Sequence, residues 1–208
     1  MEQRRLTSHE RLSGASWDAS YQDGPAPWDL GGPQPAVLRL AERGAFFGSV
    51  LDAGCGTGDN ALYLASLGLP VLGFDVAETA LAAAREKAAA RGIDAEFVAA
   101  DALELHRLAR RFDSALDSGL FHTFDADERS RYVASLASVI NPDGVLHVLC
   151  FSDAGADTGP HPVSHADLTA AFAPRTGWQV MAIEAERVQT RYHDERGAPG
   201  WLATLRRT

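Results

Sequence analysis

Three carboxylates in the first half of the chain stand where a nucleotide-like ligand could be bound. Asp52 begins the glycine-rich stretch DAGCGTG, Asp75 closes the apolar stretch PVLGFD, and Asp101 follows the stretch FVAA. A carboxylate accepts hydrogen bonds from both hydroxyls of a ribose, from an adenine amino group or from a protonated amine. The same group repels a phosphate. These side chains therefore favour a ligand that carries an amine, a ribose and an adenine but no phosphate.

The spacing of the glycines separates this loop from two common phosphate-binding loops. The chain has Gly54, Gly56 and Gly58, whereas the dinucleotide fingerprint G-x-G-x-x-G requires glycine at the position held by Asp59. No Gly-Lys-Ser/Thr follows, so the loop is not a P-loop. Glycines at this place allow a tight turn and a close approach of backbone amides to a ligand. The loop and the three carboxylates together predict that the ligand is S-adenosylmethionine (SAM), with S-adenosylhomocysteine as product.

These residues need a scaffold in which several strands end at one edge. From position 35 onward apolar and amphipathic stretches alternate, which predicts strands at 49–53, 70–75, 95–99, 112–117 and 144–151 and helices at 35–43, 59–67, 77–91, 103–110 and 126–140. A polar loop, a helix beginning at Ser164, and a closing antiparallel pair at 178–186 and 200–207 complete the pattern. The predicted fold is α/β, with a Rossmann-like, mostly parallel sheet, an antiparallel edge and helices on both faces.

The first 33 residues differ from the rest of the chain. Four prolines between positions 25 and 35 exclude a long regular element there, yet the segment is too aromatic for a free tail. We therefore predict an arm or lid at 1–33 and a SAM-binding domain at 34–208. Three aromatic side chains of the arm are expected to pack over the ligand site: Trp17, Tyr21 and Trp28.

The chain resembles the class I SAM-dependent methyltransferases in four ordered motifs: LDAGCGTG at 51–58, FD at 74–75, AADAL at 99–103 and FDSALDSGLFH at 112–122. The stretch PWDLGGPQP at 27–35 is similar to the arm of the thiopurine, thiol and halide methyltransferases, and similar actinobacterial enzymes methylate hydroxyquinolone-type toxins. The resemblance implies methyl transfer to sulfur, oxygen or nitrogen of a small aromatic or heterocyclic molecule. It also implies that the arm closes the cofactor site.

The expected cofactor contacts combine this resemblance with the residue chemistry. Gly54, Gly56 and the loop backbone would hold the methionine moiety, Asp75 the ribose, and Asp101 with the amide of Ala102 the adenine. Taken alone, Asp101 could equally be the N-cap of the following helix. The full set of expected cofactor-binding residues is Trp28, Asp52, Gly54, Cys55, Gly56, Gly58, Asp75, Val76, Asp101, Ala102 and Asp117.

The methyl acceptor is expected to meet residues of the arm and residues that follow the fourth and fifth strands. His122 could act as a general base, because a histidine pKa of about 6.5 lies near working pH, or it could orient Asp117 or the arm. A thiol with a pKa of about 8.5 needs only a pocket, whereas a phenol with a pKa of about 10 would benefit from a base. Trp28 and Phe121 are expected near the sulfonium. The predicted substrate-binding residues are Trp17, Tyr21, Ser118, Phe121 and Phe151.

Composition narrows the function classes. A net charge of −9 and a pI of about 5.2 disfavour nucleic-acid binding. Two cysteines form neither a disulfide framework nor a four-cysteine metal site, and Asp117 with Asp153 is too few carboxylates for Mg²⁺, so no metal is predicted. The absence of a signal-like start and of a long apolar run predicts a cytoplasmic protein without membrane contact.

Several alternatives stay open. The chain is expected to be a monomer or a homodimer that takes a small apolar or aromatic acceptor. A methyltransferase acting on a protein or nucleic acid, and a SAM-binding regulatory subunit without turnover, are the alternative functions.

Overall fold

The computed structural model describes residues 4–155 and 160–208 of the 208-residue chain. The first three residues of the predicted arm and residues 156–159 of the polar loop lie outside the described residues. Within the described ranges the strands are β1 Val50–Ala53, β2 Val71–Asp75, β3 Glu96–Ala99, β4 Phe112–Ser118, β5 Ile140–Phe151, β6 Trp178–Val188 and β7 Ala198–Arg207. The α-helices are α1 Ser8–Ser13, α2 Pro35–Glu42, α3 Asp59–Ser66, α4 Glu78–Arg91, α5 Ala126–Val139 and α6 His165–Ala171.

The strands form one sheet in the order β3-β2-β1-β4-β5-β7-β6. Strands β1 to β5 pair in parallel, and β7 is antiparallel to both β5 and β6. This confirms the predicted mostly parallel sheet with an antiparallel pair at one side. Because only β7 is reversed, β6 runs in the same direction as β1 to β5, and its carboxyl end lies at the same edge as theirs.

Helices cover both faces of the sheet, as predicted. On one face α5 and α6 enclose a core that includes Tyr132, Phe172 and Trp178, all fully buried. On the other face α2, α3 and α4 enclose a core that includes Leu62 and Leu81. The longest α-helices of the described ranges, α4 and α5, have 14 residues, and none of the helices found there is long and apolar enough to cross a membrane.

Local sequence signals begin and end several helices where they were expected. Asp125 accepts a hydrogen bond from the amide of Glu128 at the start of α5, and the Glu128 side chain accepts from the amide of Asp125 in return. Ser164 and Asp167 form the same reciprocal arrangement at the start of α6. Gly92 ends α4 in the left-handed conformation, with φ +63°.

Two predicted boundaries differ from the structure. The predicted helix at 103–110 is a 3-10 helix, Ala102–Leu108, with a kink at Glu104. Residues 141–143, between the predicted helix at 126–140 and the predicted strand at 144–151, lie inside β5 as an irregularity, because Ile140 already pairs with Phe112 before the register shifts. At this irregularity Gly144 lies close to the backbone of Asn141, and a Cβ on Gly144 would lie 2.8 Å from the Asn141 carbonyl oxygen.

Candidate active site: a cavity at the carboxyl edge of the sheet

A cavity of about 1020 Å³ lies at the edge where β1 to β6 end. Its size is at the upper end of the range of roughly 300–1,000 Å³ that ligand pockets occupy, which is sufficient for a cofactor and an acceptor together. One side, the cofactor half, is lined by residues 54–57, 75–76 and 101–102. The opposite side, the acceptor half, is lined by residues from 118–124, Phe151 and residues from 188–193, and the arm covers both.

The glycine-rich loop brings its backbone close to the arm. Gly54 and Gly56 have φ +68° and φ +53°, which glycine adopts without strain. A Cβ on Gly56 would lie 3.0 Å from the Tyr21 hydroxyl oxygen, and one on Gly54 would lie 3.1 Å from the Leu120 side chain. The loop therefore lines the cavity with bare backbone, as the sequence predicts.

Asp75 and Asp101 both line the cavity. The amide of Gly56 donates to Asp75 Oδ2, and the amide of Ala77 donates to Oδ1, each over 2.9 Å. Burial raises the pKa of Asp75, and these two amide hydrogen bonds oppose that shift. Asp101 accepts from the amide of Leu103 over 2.9 Å, so its expected N-cap role is confirmed while its side chain still faces the cavity.

The cofactor half suits a ligand that carries a ribose and no phosphate. Lys87, the single lysine of the sequence, does not line the cavity, and its Nζ donates to Thr57 Oγ1 and pairs with Asp59 Oδ2, each over 2.8 Å. Arg4 reaches the cavity from the arm, but both of its terminal nitrogens pair with the carboxylate of Glu10. Carboxylates and backbone amides thus dominate this half, and Cys55, Val76 and Ala102 complete its lining as predicted.

Asp52 and Gly58 do not line the cavity, contrary to prediction. Asp52 is 1% exposed and is covered by α3, and burial raises its pKa to about 7. Gly58 has φ +80°, and a Cβ there would lie 2.8 Å from the Phe97 ring and 2.9 Å from the Ala84 side chain. This glycine allows α3 to pack closely against its neighbours and is not a ligand contact.

Asp117 and Phe121 are also buried away from the cavity. Asp117 Oδ1 accepts from the amides of Leu120 and Phe121 over 2.9 and 3.2 Å, so the carboxyl shapes the turn after β4. The Phe121 ring packs 5.6 Å from the Phe172 ring, and its cationic neighbour is Arg129, 5.1 Å from the ring centroid. Phe121 is therefore a core residue rather than a partner for the sulfonium. Across residues 4–155 and 160–208, no three His, Cys, Asp or Glu side chains cluster as metal ligands.

The acceptor half contains the predicted residues Ser118, His122 and Phe151. It also contains a loop that the sequence reading missed, between β6 and β7. The direction of β6 could have predicted this loop. A strand parallel to β5 ends at the same edge of the sheet, so the loop that follows it lies at that edge. The missed residues that line this half are Leu120, Thr123, Phe124, Gln189, Thr190, Tyr192 and His193.

His122 is 6% exposed and lines the cavity. The backbone amide of Phe151 donates to its Nδ1 over 3.3 Å. Burial, together with the nearby positive charge of Arg129, lowers the pKa of His122 to about 3. The predicted role as a general base is therefore not supported, since an efficient base needs a pKa near the working pH.

The aromatic side chains of the arm lie over the cavity, as predicted. Trp28 Nε1 donates to the Tyr21 hydroxyl over 2.7 Å, and the rings of Trp17 and Trp28 meet edge to face at 5.7 Å. His9, which the sequence reading missed, stacks on Trp17 at 4.5 Å. Trp28 stands at the mouth, where 41% of its surface is exposed.

Two hydrogen-bonded contacts attach the arm to helix N-termini. The Ser8 amide and hydroxyl donate to the two Glu128 carboxylate oxygens over 2.7 and 2.6 Å, at the start of α5. Asp18 accepts from the amide and hydroxyl of Thr79 over 2.7 and 2.9 Å, at the start of α4. Since Ala77 provides no side-chain cap for α4, the arm supplies that cap from outside.

Comparison with known proteins places the chain in a family. The family described as "Methyltransferase domain" matches residues 50–144. A 2-heptyl-1-hydroxyquinolin-4(1H)-one methyltransferase of Mycobacteroides abscessus is 40% identical over 146 residues, which cover 68% of this chain and 64% of that protein. The match thus spans just under two thirds of that relative's length.

Two further relatives cover more of the chain. A probable thiol methyltransferase 2 of Arabidopsis thaliana is 29% identical over 183 residues, covering 86% of this chain and 79% of that protein. A solved structure from work on the conversion of a disulfide bond into a thioacetal group during echinomycin biosynthesis is 39% identical. It covers 88% of this chain and 85% of its own, with a TM-score of 0.79. With these matches, the motif order and the sheet topology, the chain belongs to the class I SAM-dependent methyltransferases.

Proposed function

We propose that this protein transfers the methyl group of SAM to sulfur, oxygen or nitrogen of a small aromatic or heterocyclic molecule. The observation that carries the proposal is a single cavity with two unlike halves under an aromatic cover. The similarity to a hydroxyquinolone methyltransferase and to a probable thiol methyltransferase supports small acceptors of this kind. The acidic net charge of −9 argues against docking on nucleic acid.

The cofactor half would hold SAM through groups that line the cavity. Asp75 would accept from the ribose hydroxyls, Asp101 and the Ala102 amide would meet the adenine, and the backbone at Gly54 and Gly56 would meet the methionine moiety. When bound, SAM supplies a methyl group on a positively charged sulfur. The chain's own contribution is to position the two reactants and exclude water.

We propose that the arm acts as a lid on this site. The Tyr21 hydroxyl lies against Gly56, and the rings of Trp17 and Trp28 stand over the cavity. Aromatic faces near a sulfonium stabilise its charge by about 0.5–2 kcal/mol, depending on exposure. The contacts of Ser8 and Asp18 keep these rings in place.

The test is methyl transfer from labelled SAM to a panel of thiols, hydroxyquinolones, phenols and halides. The proposal expects labelled acceptor and an equal amount of S-adenosylhomocysteine for at least one thiol or hydroxylated heterocycle. SAM binding without product across the whole panel would instead indicate a regulatory subunit. Label appearing only in added protein or nucleic acid would place the chain among macromolecule methyltransferases.

A further inference from the structure

His122 is a buried residue that lines the acceptor half of the cavity. It lies in the 3-10 helix Phe121–Thr123, directly after β4, and only its ring reaches the cavity from a buried site. The Phe151 ring packs 4.5 Å from the imidazole. The His122 carbonyl accepts from the amide of His161 over 3.1 Å, so backbone and side chain are both held.

The hydrogen bond from Phe151 sets the tautomer of this ring. A backbone amide is only a donor, so His122 Nδ1 must present a lone pair to it. A neutral imidazole then carries its proton on Nε2. Within residues 4–155 and 160–208, nothing hydrogen-bonds to Nε2, and that nitrogen is not sealed from the cavity. The His122 ring thus presents an N–H donor to the cavity.

The charged and titratable groups around the ring keep it neutral. Arg129 of α5, His9 of α1 and His161 of the loop after β5 are the neighbours whose charges disfavour a protonated His122, and burial acts in the same direction. His193, from the β6–β7 loop, faces the other side of the Phe151 ring at 6.2 Å. Asp117, near the end of β4, is buried, and burial raises its pKa to about 7.

The two halves of the cavity also differ in charge. Asp75 and Asp101 stand in the cofactor half. In the part of the chain that the structure describes, the lining residues that follow β4, β5 and β6 include imidazoles and hydroxyls but no carboxylate. Asp29 reaches the lining from the arm, with its Oδ1 accepting from the amide of Gly31. An anionic acceptor would therefore meet donors, not like charges, at the strand ends.

We infer that His122 is a fixed hydrogen-bond donor, through Nε2–H, to an acceptor that enters the site already ionised. This inference rests on the proposed function and adds a substrate class: acidic thiols and N-hydroxy heterocycles rather than ordinary phenols or alcohols. The lone pair of the acceptor anion forms the new bond to the methyl carbon while the carbon–sulfur bond breaks, and that electron pair stays on sulfur. The acceptor's proton has already gone to solvent, so no protein base is required.

A matched pair of variants separates a donor from a base. His122→Asn keeps an oxygen for the Phe151 amide but loses the donor that reaches the acceptor. His122→Gln places an N–H donor at about the reach of Nε2, and neither variant contains a base. The measurement is kcat/KM from pH 5 to pH 10 for an acidic aryl thiol, an N-hydroxyquinolone and a simple phenol, with SAM affinity measured by calorimetry for each variant.

The inference expects His122→Asn to lose about ten- to hundredfold in kcat/KM for the acidic acceptors, and His122→Gln to recover most of that loss. SAM affinity should be unchanged in both. The pH at which the wild-type rate rises should follow the acceptor's own pKa from one acceptor to the next. A titration of the enzyme itself would instead appear at one pH for all three acceptors.

Two results would overturn the inference while leaving the proposed function intact. One is equal loss in the Asn and Gln variants, which would indicate a base or a purely structural ring. The other is a rise at a constant pH with every acceptor. If wild-type protein methylates none of the three, the proposed function itself fails.

Discussion

The two halves of the cavity are built by different routes along the chain. The cofactor half comes from residues 54–102, a continuous stretch that begins where β1 ends and contains the ends of β2 and β3. The acceptor half collects residues from the arm, from 118–124, from Phe151 and from 188–193. The first half has carboxylates and bare backbone, and the second has imidazoles, hydroxyls and aromatic rings. The proposed cofactor site is thus local in sequence, whereas the proposed acceptor site depends on distant segments that meet at one edge of the sheet.

The largest expected effect tests the cofactor half. Asp75→Ala removes the proposed ribose acceptor and also the partner of the Gly56 and Ala77 amides. Leaving the ribose hydroxyls of bound SAM unpaired in a buried site costs about 1–3 kcal/mol, so the Kd for SAM should rise about five- to 150-fold. Isothermal calorimetry measures it, with Asp94→Ala, an exposed loop carboxylate, as the control that should leave the Kd unchanged. An unaltered Kd for Asp75→Ala would remove its ribose role.

The next prediction separates a packing glycine from a ligand glycine. Gly58→Ala places a Cβ 2.8 Å from the Phe97 ring at φ +80°, so the fold should lose about 1–3 kcal/mol of stability. This corresponds to a fall in Tm of roughly 2–10 °C, measurable by thermal unfolding. Gly68→Ala is the control, because it has a similar φ of +88° with open space around it. Equal losses in the two variants would show that strain, not contact with Phe97, accounts for the effect.

A smaller effect is expected from loosening the arm. Ser8→Ala removes the hydroxyl that donates to Glu128, and Asp18→Ala removes the cap on Thr79. The double variant should release SAM several-fold faster, since net hydrogen bonds contribute about 0.5–1.5 kcal/mol each. Stopped-flow fluorescence of the arm tryptophans follows the release. Ser130→Ala, an exposed serine of α5, should have no effect, and an unchanged release rate in the double variant would remove the lid role.

The smallest expected effect concerns Asp117, which was predicted from the sequence to bind the cofactor. Burial raises the folded-state pKa of Asp117 to about 7, above its ordinary value of 3.8. The wild-type protein should therefore lose stability as the pH rises from about 4 to about 7, and Asp117→Asn should escape that loss. The Tm of the variant relative to wild type should rise by a few degrees between pH 5 and pH 8.

The control for this pH effect has the opposite sign. Hydrogen bonds from the Ser49 amide and from Asn141 lower the pKa of Asp113, so its ionised form is favoured on folding. Asp113→Asn should therefore lower the Tm at pH 8. A flat difference between Asp117→Asn and wild type across the pH range would contradict the raised pKa.

The sequence predicted the scaffold and the cofactor half well because both depend on local patterns. Alternating apolar stretches and the glycine loop identified the strands and helices that position Gly54, Asp75 and Asp101. Residue type alone did not show which carboxylates face the cavity. Asp52 and Asp117 lie in strands whose neighbouring elements bury them, and that depends on packing.

The acceptor half was predicted less completely for a related reason. The position of the β6–β7 loop follows only from the direction of β6 in the sheet, and that direction is set by long-range pairing with β7. The environment of His122 likewise depends on the Phe151 amide, 29 residues away in the chain. A general base could be assigned from the residue type, but the hydrogen bond that fixes the tautomer of His122 is visible only in the fold.

The most direct test of the account is a single-turnover experiment with methyl-labelled SAM. Enzyme loaded with one equivalent is mixed with excess N-hydroxyquinolone or aryl thiol above the acceptor's pKa, and both products are quantified over time. The account predicts that label leaves SAM and enters the acceptor in step with S-adenosylhomocysteine, one for one. Label that stays on SAM with every acceptor, while SAM remains bound in the cavity, would contradict it.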